Sequence, residues 1–238
     1  MKLIQQFFFS PMQVRHFASV VLLVFSTHFC SAQKSETGNW FIYSGSQSFQ
    51  TKWNWANEVQ YRSYNFAGDM QQFLVRTGIG FNLSENNNNI LLGYGFIRSE
   101  NYQPDTNLKT GFNEHRIYQQ FVTRQNFGRV FIQHRYRLEE RFLPNDVFKL
   151  RFRYFLAVNI PINNATMIKN TVYISAYNEI FINGKTPFFD RDRVYGAVGF
   201  VITQNIKAEI GFMSQVLDAS RRNQFQVVLY NTIPFRKH

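Results

Sequence analysis

One pattern returns about eleven times along this chain: a stretch of roughly a dozen residues in which apolar and polar side chains alternate. A period of two belongs to an extended strand with one face against an apolar medium and the other against a polar one. The stretch from Val147 is the clearest. Phe148, Leu150, Phe152, Tyr154, Leu156, Val158 and Ile160 point one way, and Lys149, Arg151, Arg153 and Asn159 the other. Similar segments fall near 40–48, 53–64, 71–83, 90–99, 113–126, 130–142, 171–182, 192–202, 206–216 and 222–235. The 3.6-residue period of an amphipathic helix is missing, and no window beyond the N-terminal segment is apolar enough for a spanning helix.

The breakers agree with this parse. Pro104, Pro144, Pro161 and Pro187 fall in or beside connections, and Pro234 falls at the last strand's end, where a lost ladder donor costs least. The connections form two rims, one of which carries or adjoins all six Asp residues (Asp69, Asp105, Asp146, Asp190, Asp192, Asp218). Consecutive strands with no helices to cover them close into a barrel, which removes exposed edges. The expected fold is all-β, an up-and-down antiparallel transmembrane barrel. A last strand ending at Phe235 should finish in the periplasm, and even counts are normal for such barrels, so the expected number is ten or twelve rather than the eleven counted.

Alternation does not say which side is wet, but three features place the apolar face outward. The strands are longer than the five or six residues usual in soluble sheets. Arg supplies 17 of the 26 basic residues in a chain of net charge +11, and the polar face interleaves Arg with Glu, a pairing suited to confined networks. Aromatics make up 18 % of the chain, and Trp40, Trp53, Trp55, Tyr102, Phe142, Phe188, Phe189 and Phe235 lie near strand ends, where an interfacial girdle would sit. Four polar residues, His134, Glu140, Asn178 and Asn231, fall on the apolar face.

The N-terminus reads as an address. Lys2, Arg15 and His16 precede the apolar run Phe17–Phe25, which ends in Cys30-Ser31-Ala32. This is the layout of a secretory signal, too short for a membrane anchor. Cleavage is expected after Ala32, leaving 33–238 as one barrel domain. Cys30 is the only cysteine, so the mature chain has neither a disulfide framework nor a thiolate metal site.

A series of motifs carries a family resemblance. Trp40, Arg62, Gly93-Tyr94, Glu114-His115-Arg116 with Gln119-Gln120, the run His134 to Phe142, Arg151 to Tyr154, Asn178 to Asn183, Phe189 to Arg193 and Gly211 to Gln215 follow in order. Together they resemble the domain of unknown function 2490 family, in its Bacteroidetes form. The resemblance implies a bacterial outer-membrane β-barrel and brings no catalytic residues. The chain departs from many such barrels in that Arg236-Lys237-His238 follow the terminal aromatic.

The main candidate site is the arginine-bearing face: Arg62, Arg76, Arg116, Arg135, Arg137, Glu139, Arg151, Arg153, Glu179, Arg193 and Glu209, expected to line the lumen. Two readings stand side by side. A positive lumen concentrates small anionic solutes, as Arg/Lys rings do in anion pores; a salt-bridged interior fills and stiffens a passive barrel. The competing class is a lipid-modifying hydrolase or acyltransferase, for which His115 with Glu114 and Ser99 is the one arrangement worth naming. The Asp-bearing rim offers oxygen ligands for divalent cations, although Asp also simply forms turns. No Gly-rich phosphate loop or zinc spacing is present, and no cofactor is expected. The basic charge sits on alternating strand positions of an exported chain, which disfavours nucleic acid. The expected partners are outer-membrane lipid, a small anionic solute and, during biogenesis, the barrel-assembly machinery, with the barrel itself a monomer.

Overall fold

A computed structural model describes residues 37–84, 87–104, 106–218 and 220–235. The expected signal segment 1–32 with Cys30, the tail Arg236-Lys237-His238, Asn86 and Asp105 lie outside the described residues. Eleven strands follow one another: β1 (Thr37–Ser48), β2 (Trp53–Ser63), β3 (Met70–Asn82), β4 (Asn88–Tyr102), β5 (Lys109–Phe127), β6 (Val130–Leu143), β7 (Val147–Pro161), β8 (Val172–Asn183), β9 (Phe189–Thr203), β10 (Ile206–Val216) and β11 (Arg221–Asn231). Each pairs with its sequence neighbour, and β1 closes on β11. Among the described residues no helix is long and apolar enough to cross a membrane.

The count corrects the expected ten or twelve, and with it the expectation of antiparallel pairing throughout. In a meander, odd-numbered strands all run the same way, so a barrel of eleven must close through a parallel pair. That pair joins Thr37 to Asn223 at one end and Gly45 to Asn231 at the other. Parallel ladders are slightly weaker per residue, but closure leaves no free edge. The chain therefore enters the barrel at one end and leaves it at the opposite one. We call these the amino rim (connections 64–69, 103–108, 144–146, 184–188 and 217–220) and the carboxyl rim (49–52, 83–87, 128–129, 162–171 and 204–205). Pro234 ends β11 early: Asn231 is its last residue, and Phe235 returns its N–H to the Ser48 carbonyl at 3.0 Å.

The usual distribution of side chains is inverted. Among the described residues, thirty-six large hydrophobic side chains are exposed, against thirteen buried hydrophobics and twenty-four buried polar or charged residues. A soluble fold of this size hides the first kind and shows the last. The alternation is the cause, since every second residue of each strand points into the barrel and the inward set here is polar. Where an inward aromatic must lie flat, a glycine makes room. A Cβ on Gly199 would stand 2.2 Å from the Tyr173 ring, and one on Gly93 2.3 Å from that of Tyr118.

Outward polar residues find one another. His134 Nδ1 lies 2.8 Å from the Tyr154 hydroxyl, Gln119 donates to Glu140 at 3.2 Å, Asn178 to Asp192 at 2.8 Å, and Asn231 to the Tyr43 hydroxyl at 3.0 Å. Trp53 packs edge-on against Phe81 and Trp55 stacks on Phe235, both near the carboxyl rim. Trp40 is a correction. Expected in the outer girdle, it is 4 % exposed and points inward, because it shares parity with Ile42 and Ser44 while Phe41 takes the outer position. Nearness to a strand end had suggested the girdle; parity decides the side.

Candidate functional site

The interior of the amino half is one connected ion network. At its centre Glu139, fully buried on β6, faces five guanidinium groups. Arg151 donates to it at 2.5 Å and Arg153 is directly paired with it, while Arg137, Arg116 and Arg76 stand 3.6, 3.7 and 4.0 Å away. Arg153 also reaches Glu179 at 2.6 Å; Arg135 approaches that carboxylate at 2.7 Å and Arg193 at 3.6 Å. Glu114 holds Arg116 and Arg141 through two bonds each, between 2.5 and 3.1 Å. Arg151 carries the chain of contacts on to Asp190 at 2.9 Å, and Arg76 carries it to Glu58 at 2.9 Å.

Arg191 joins through Asp190, so nine arginines share five carboxylates. Cross-strand register builds this arrangement: Arg137 lies opposite Arg153, and Glu139 opposite Arg151, so like and unlike charges meet within one or two strands. Arginine serves here because its planar fork serves two carboxylates at once and its flat face can stack on rings. The surplus positive charge rests on aromatic faces. Arg62 has no carboxylate oxygen within 4.0 Å among the described residues; it bonds Gln60 at 3.0 Å and lies 3.7 Å from the Trp40 ring centre. Arg193 and Arg153 lie 4.6 and 4.5 Å from the Phe181 ring, and Arg137 lies 4.5 Å from that of Tyr118. Such contacts stabilise a desolvated cation by roughly 1–2 kcal/mol each.

Toward the carboxyl rim many inward residues are small or neutral, among them Ser44, Ser46, Ala56, Ala157 and Ser175, and a cavity of about 610 Å³ opens between them. Arg62, Arg76, Arg137, Arg153, Glu179 and Arg193 face it from the amino side. Glu139, Arg116 and Arg151 lie behind that layer and take no part in the cavity wall. Glu209, on the wall, collects the hydroxyls of Tyr173 at 2.9 Å, Tyr230 at 3.3 Å and Tyr195 at 3.5 Å.

All eleven residues named from the sequence thus point inward, and ten of them belong to the network or its stacked margin. Glu209 stands apart with its tyrosines. The set named from the sequence left out Glu58, Glu114, Arg141, Asp190 and Arg191, which complete the network. Parity alone would have found Glu114, which shares a face with Arg116. The same parity undoes the His115 arrangement. Neighbours in a strand point to opposite sides: His115 lies outside, its Nδ1 2.6 Å from the Tyr94 hydroxyl, whereas Glu114 and Ser99 are inside. Ser99 accepts from Gln72 at 2.8 Å. On the Asp-bearing rim, Asp69 is taken by Lys109 and by the Tyr102 hydroxyl, and no group of three or more His, Cys, Asp or Glu side chains among the described residues could hold a metal ion.

Fold and interior together define a class: a closed, odd-numbered β-barrel, apolar outside and filled with paired charge at one end. Residues 37–226 match the family described as Protein of unknown function (DUF2490), and the chain belongs to that family. Neither the curated proteins nor the solved structures contain a match to it.

Proposed function

We propose that this chain is a bacterial outer-membrane barrel, delivered by its N-terminal signal and folded into lipid by the barrel-assembly machinery, and that it is a passive, closed barrel and not a conducting pore. The observation that carries the membrane reading is the inversion of side chains, with thirty-six exposed large hydrophobics around a charged interior. Water would have to cover that apolar belt, whereas lipid covers it without cost. Strands of 11 to 19 residues meet or exceed the roughly 9–11 that a tilted crossing needs. The pairing of His134, Glu140, Asn178 and Asn231 with neighbours lowers their cost in an apolar medium.

The closed lumen rests on the amino-half network. Its central carboxylate is wholly buried, and Leu74, Ile97 and Phe181 fill the same half at 0–1 % exposure. No step of lipid hydrolysis is assigned, because the named histidine and serine lie on opposite faces of the wall. The purified protein, refolded in detergent, should show a heat-dependent gel shift, float with lipid vesicles after reconstitution, and remain electrically silent in a planar bilayer under a salt gradient. Discrete openings would overturn the closed reading, and a monomer that stays in the aqueous phase would overturn the membrane reading.

A further inference from the structure

The cavity at the carboxyl rim has the features of a binding site that the closed-barrel reading does not use. It has a floor, a mouth and a biased charge. Eight cationic side chains line it against three carboxylates, Glu58, Glu179 and Glu209. Enclosed clefts lined by one sign of charge focus the field and concentrate counter-ions.

Most of the floor cations are already engaged by the network, but two at the mouth are not. Arg124 on β5 is held only through Nε, which donates to Gln133 at 3.1 Å. Lys207 on β10 hangs over the rings of Tyr230 and Tyr173, 5.6 and 6.0 Å from their centres. Neither has a carboxylate oxygen within 4.0 Å among the described residues. They rise from strands on opposite sides of the barrel, so an anion entering the mouth passes between them.

The remaining wall mixes amides and hydroxyls with apolar side chains such as Leu91, Val122 and Val228. Asn89 links Asn54 and Asn82 at 2.8 Å each, forming an amide arc at the mouth. Deeper, Phe155 and Tyr177 pack with ring centres 4.9 Å apart and offer an apolar plate. At about 610 Å³ the cavity lies within the range of roughly 300–1,000 Å³ typical of small-molecule sites, and well above the need of a bare ion. Ordinary pockets are lined mainly by apolar groups; this one presents amides and hydroxyls, which suit a ligand rich in hydroxyls.

We propose that the cup binds a sugar-sized organic anion, a polyhydroxylated body carrying a phosphate or carboxylate, with the anionic group between Arg124 and Lys207 and the hydroxyls on the amide arc. The ligand enters and leaves by the carboxyl rim, since the Arg/Glu floor closes the other way. This goes beyond the closed-barrel reading and takes from it only the floor.

The test is calorimetric titration of the folded protein in neutral detergent with glucose 6-phosphate, glucuronate, glucose and inorganic phosphate. The expected result is saturation by at least one of the two anionic sugars, about tenfold or more tighter than by glucose or phosphate, weakening as salt rises from about 0.05 to 0.5 M. The double variant Arg124→Gln/Lys207→Gln, whose gel shift confirms folding, should lose about tenfold or more of that affinity. No saturation by either anionic sugar up to about 10 mM would overturn the proposal. So would equal binding of glucose, equal binding of inorganic phosphate, or an unchanged affinity in the folded double variant. Bilayer openings would sink the closed floor while leaving a saturating titration in place, and a flat titration would leave bilayer silence in place, so the two readings fail separately.

Discussion

The two halves of the lumen are built by the same strands with the same alternation, yet one is solid and the other hollow. In the amino half the inward positions carry long side chains of opposite charge, and Glu139, Arg151 and Glu179 are 0–3 % exposed. In the carboxyl half many inward positions carry Ser, Ala and Asn between larger side chains such as Phe155 and Tyr177, and the same barrel radius leaves a cavity of about 610 Å³. The contrast teaches that strand count sets only the width of the tube; residue volume at each inward level decides whether it is filled. It also separates two uses of arginine. Where carboxylates are within reach, arginine acts as filler and cross-link. At the mouth, Arg124 has only an amide to hold.

The sharpest way to break the contrast is at Glu139. Replacing it by Gln leaves Arg151 and Arg153 without their shared partner in a place where an unpaired charge has no water. Removing one member of a buried ion network typically costs about 3–5 kcal/mol. Glu139→Gln should therefore show a large drop in the denaturant midpoint of unfolding from micelles, and intermittent conductance where the wild type is silent. An unchanged midpoint would mean that the amino half is closed by shape alone.

Next in size comes Gly199→Val, in the hollow half. The new Cβ would collide with the Tyr173 ring and push it off the wall, breaking the hydroxyl's bond to Glu209. Overpacking of this kind costs about 1–3 kcal/mol. The barrel should still fold, with the loss read in the same unfolding assay and no conductance gained. A smaller effect is expected at Glu58, on the boundary between the halves. Its side chain is 18 % exposed and has one arginine, Arg76, at 2.9 Å. Because water reaches it, Glu58→Gln should cost on the order of 1 kcal/mol, well below Glu139→Gln. Equal losses at the two positions would erase the distinction between a dry half and a wet one.

Much of this architecture was legible in the sequence, for a physical reason. Period-two alternation fixes which residues share a face, and all eleven segments coincide with strands to within a few residues at each end, as do the inward Arg and Glu positions along them. Two readings failed where a general expectation overrode the local pattern. The segments numbered eleven, but the habit of even strand counts displaced that number; the parallel contact of β1 with β11 has no local signature, since it depends on what lies nearly two hundred residues away. Trp40 went to the girdle because it lies near a strand end, although its parity with Ile42 points inward. The cavity was illegible for another reason. Alternation says that Ser44, Ala56 and Ala157 face inward, but not that they gather at one level, which depends on stagger around the closed sheet.

The smallest effect tests the outer face against both halves of the interior. His115 projects from β5 into the apolar belt and is satisfied by the Tyr94 hydroxyl at 2.6 Å, with the Phe96 ring 5.5 Å away. A side-chain hydrogen bond measured between transmembrane segments contributes on average about 0.6 kcal/mol, because the unfolded alternatives also find partners, and a bond on the outer face should contribute no more. His115→Ala should therefore leave the gel shift intact, move the unfolding midpoint by less than any interior variant, and change neither conductance nor sugar titration. Phospholipid hydrolysis should be absent from wild type and variant alike, because the wall of the barrel stands between this imidazole and Ser99. Hydrolysis by the wild type that disappears in His115→Ala would place chemistry on the outer face, for which we propose only contact with lipid.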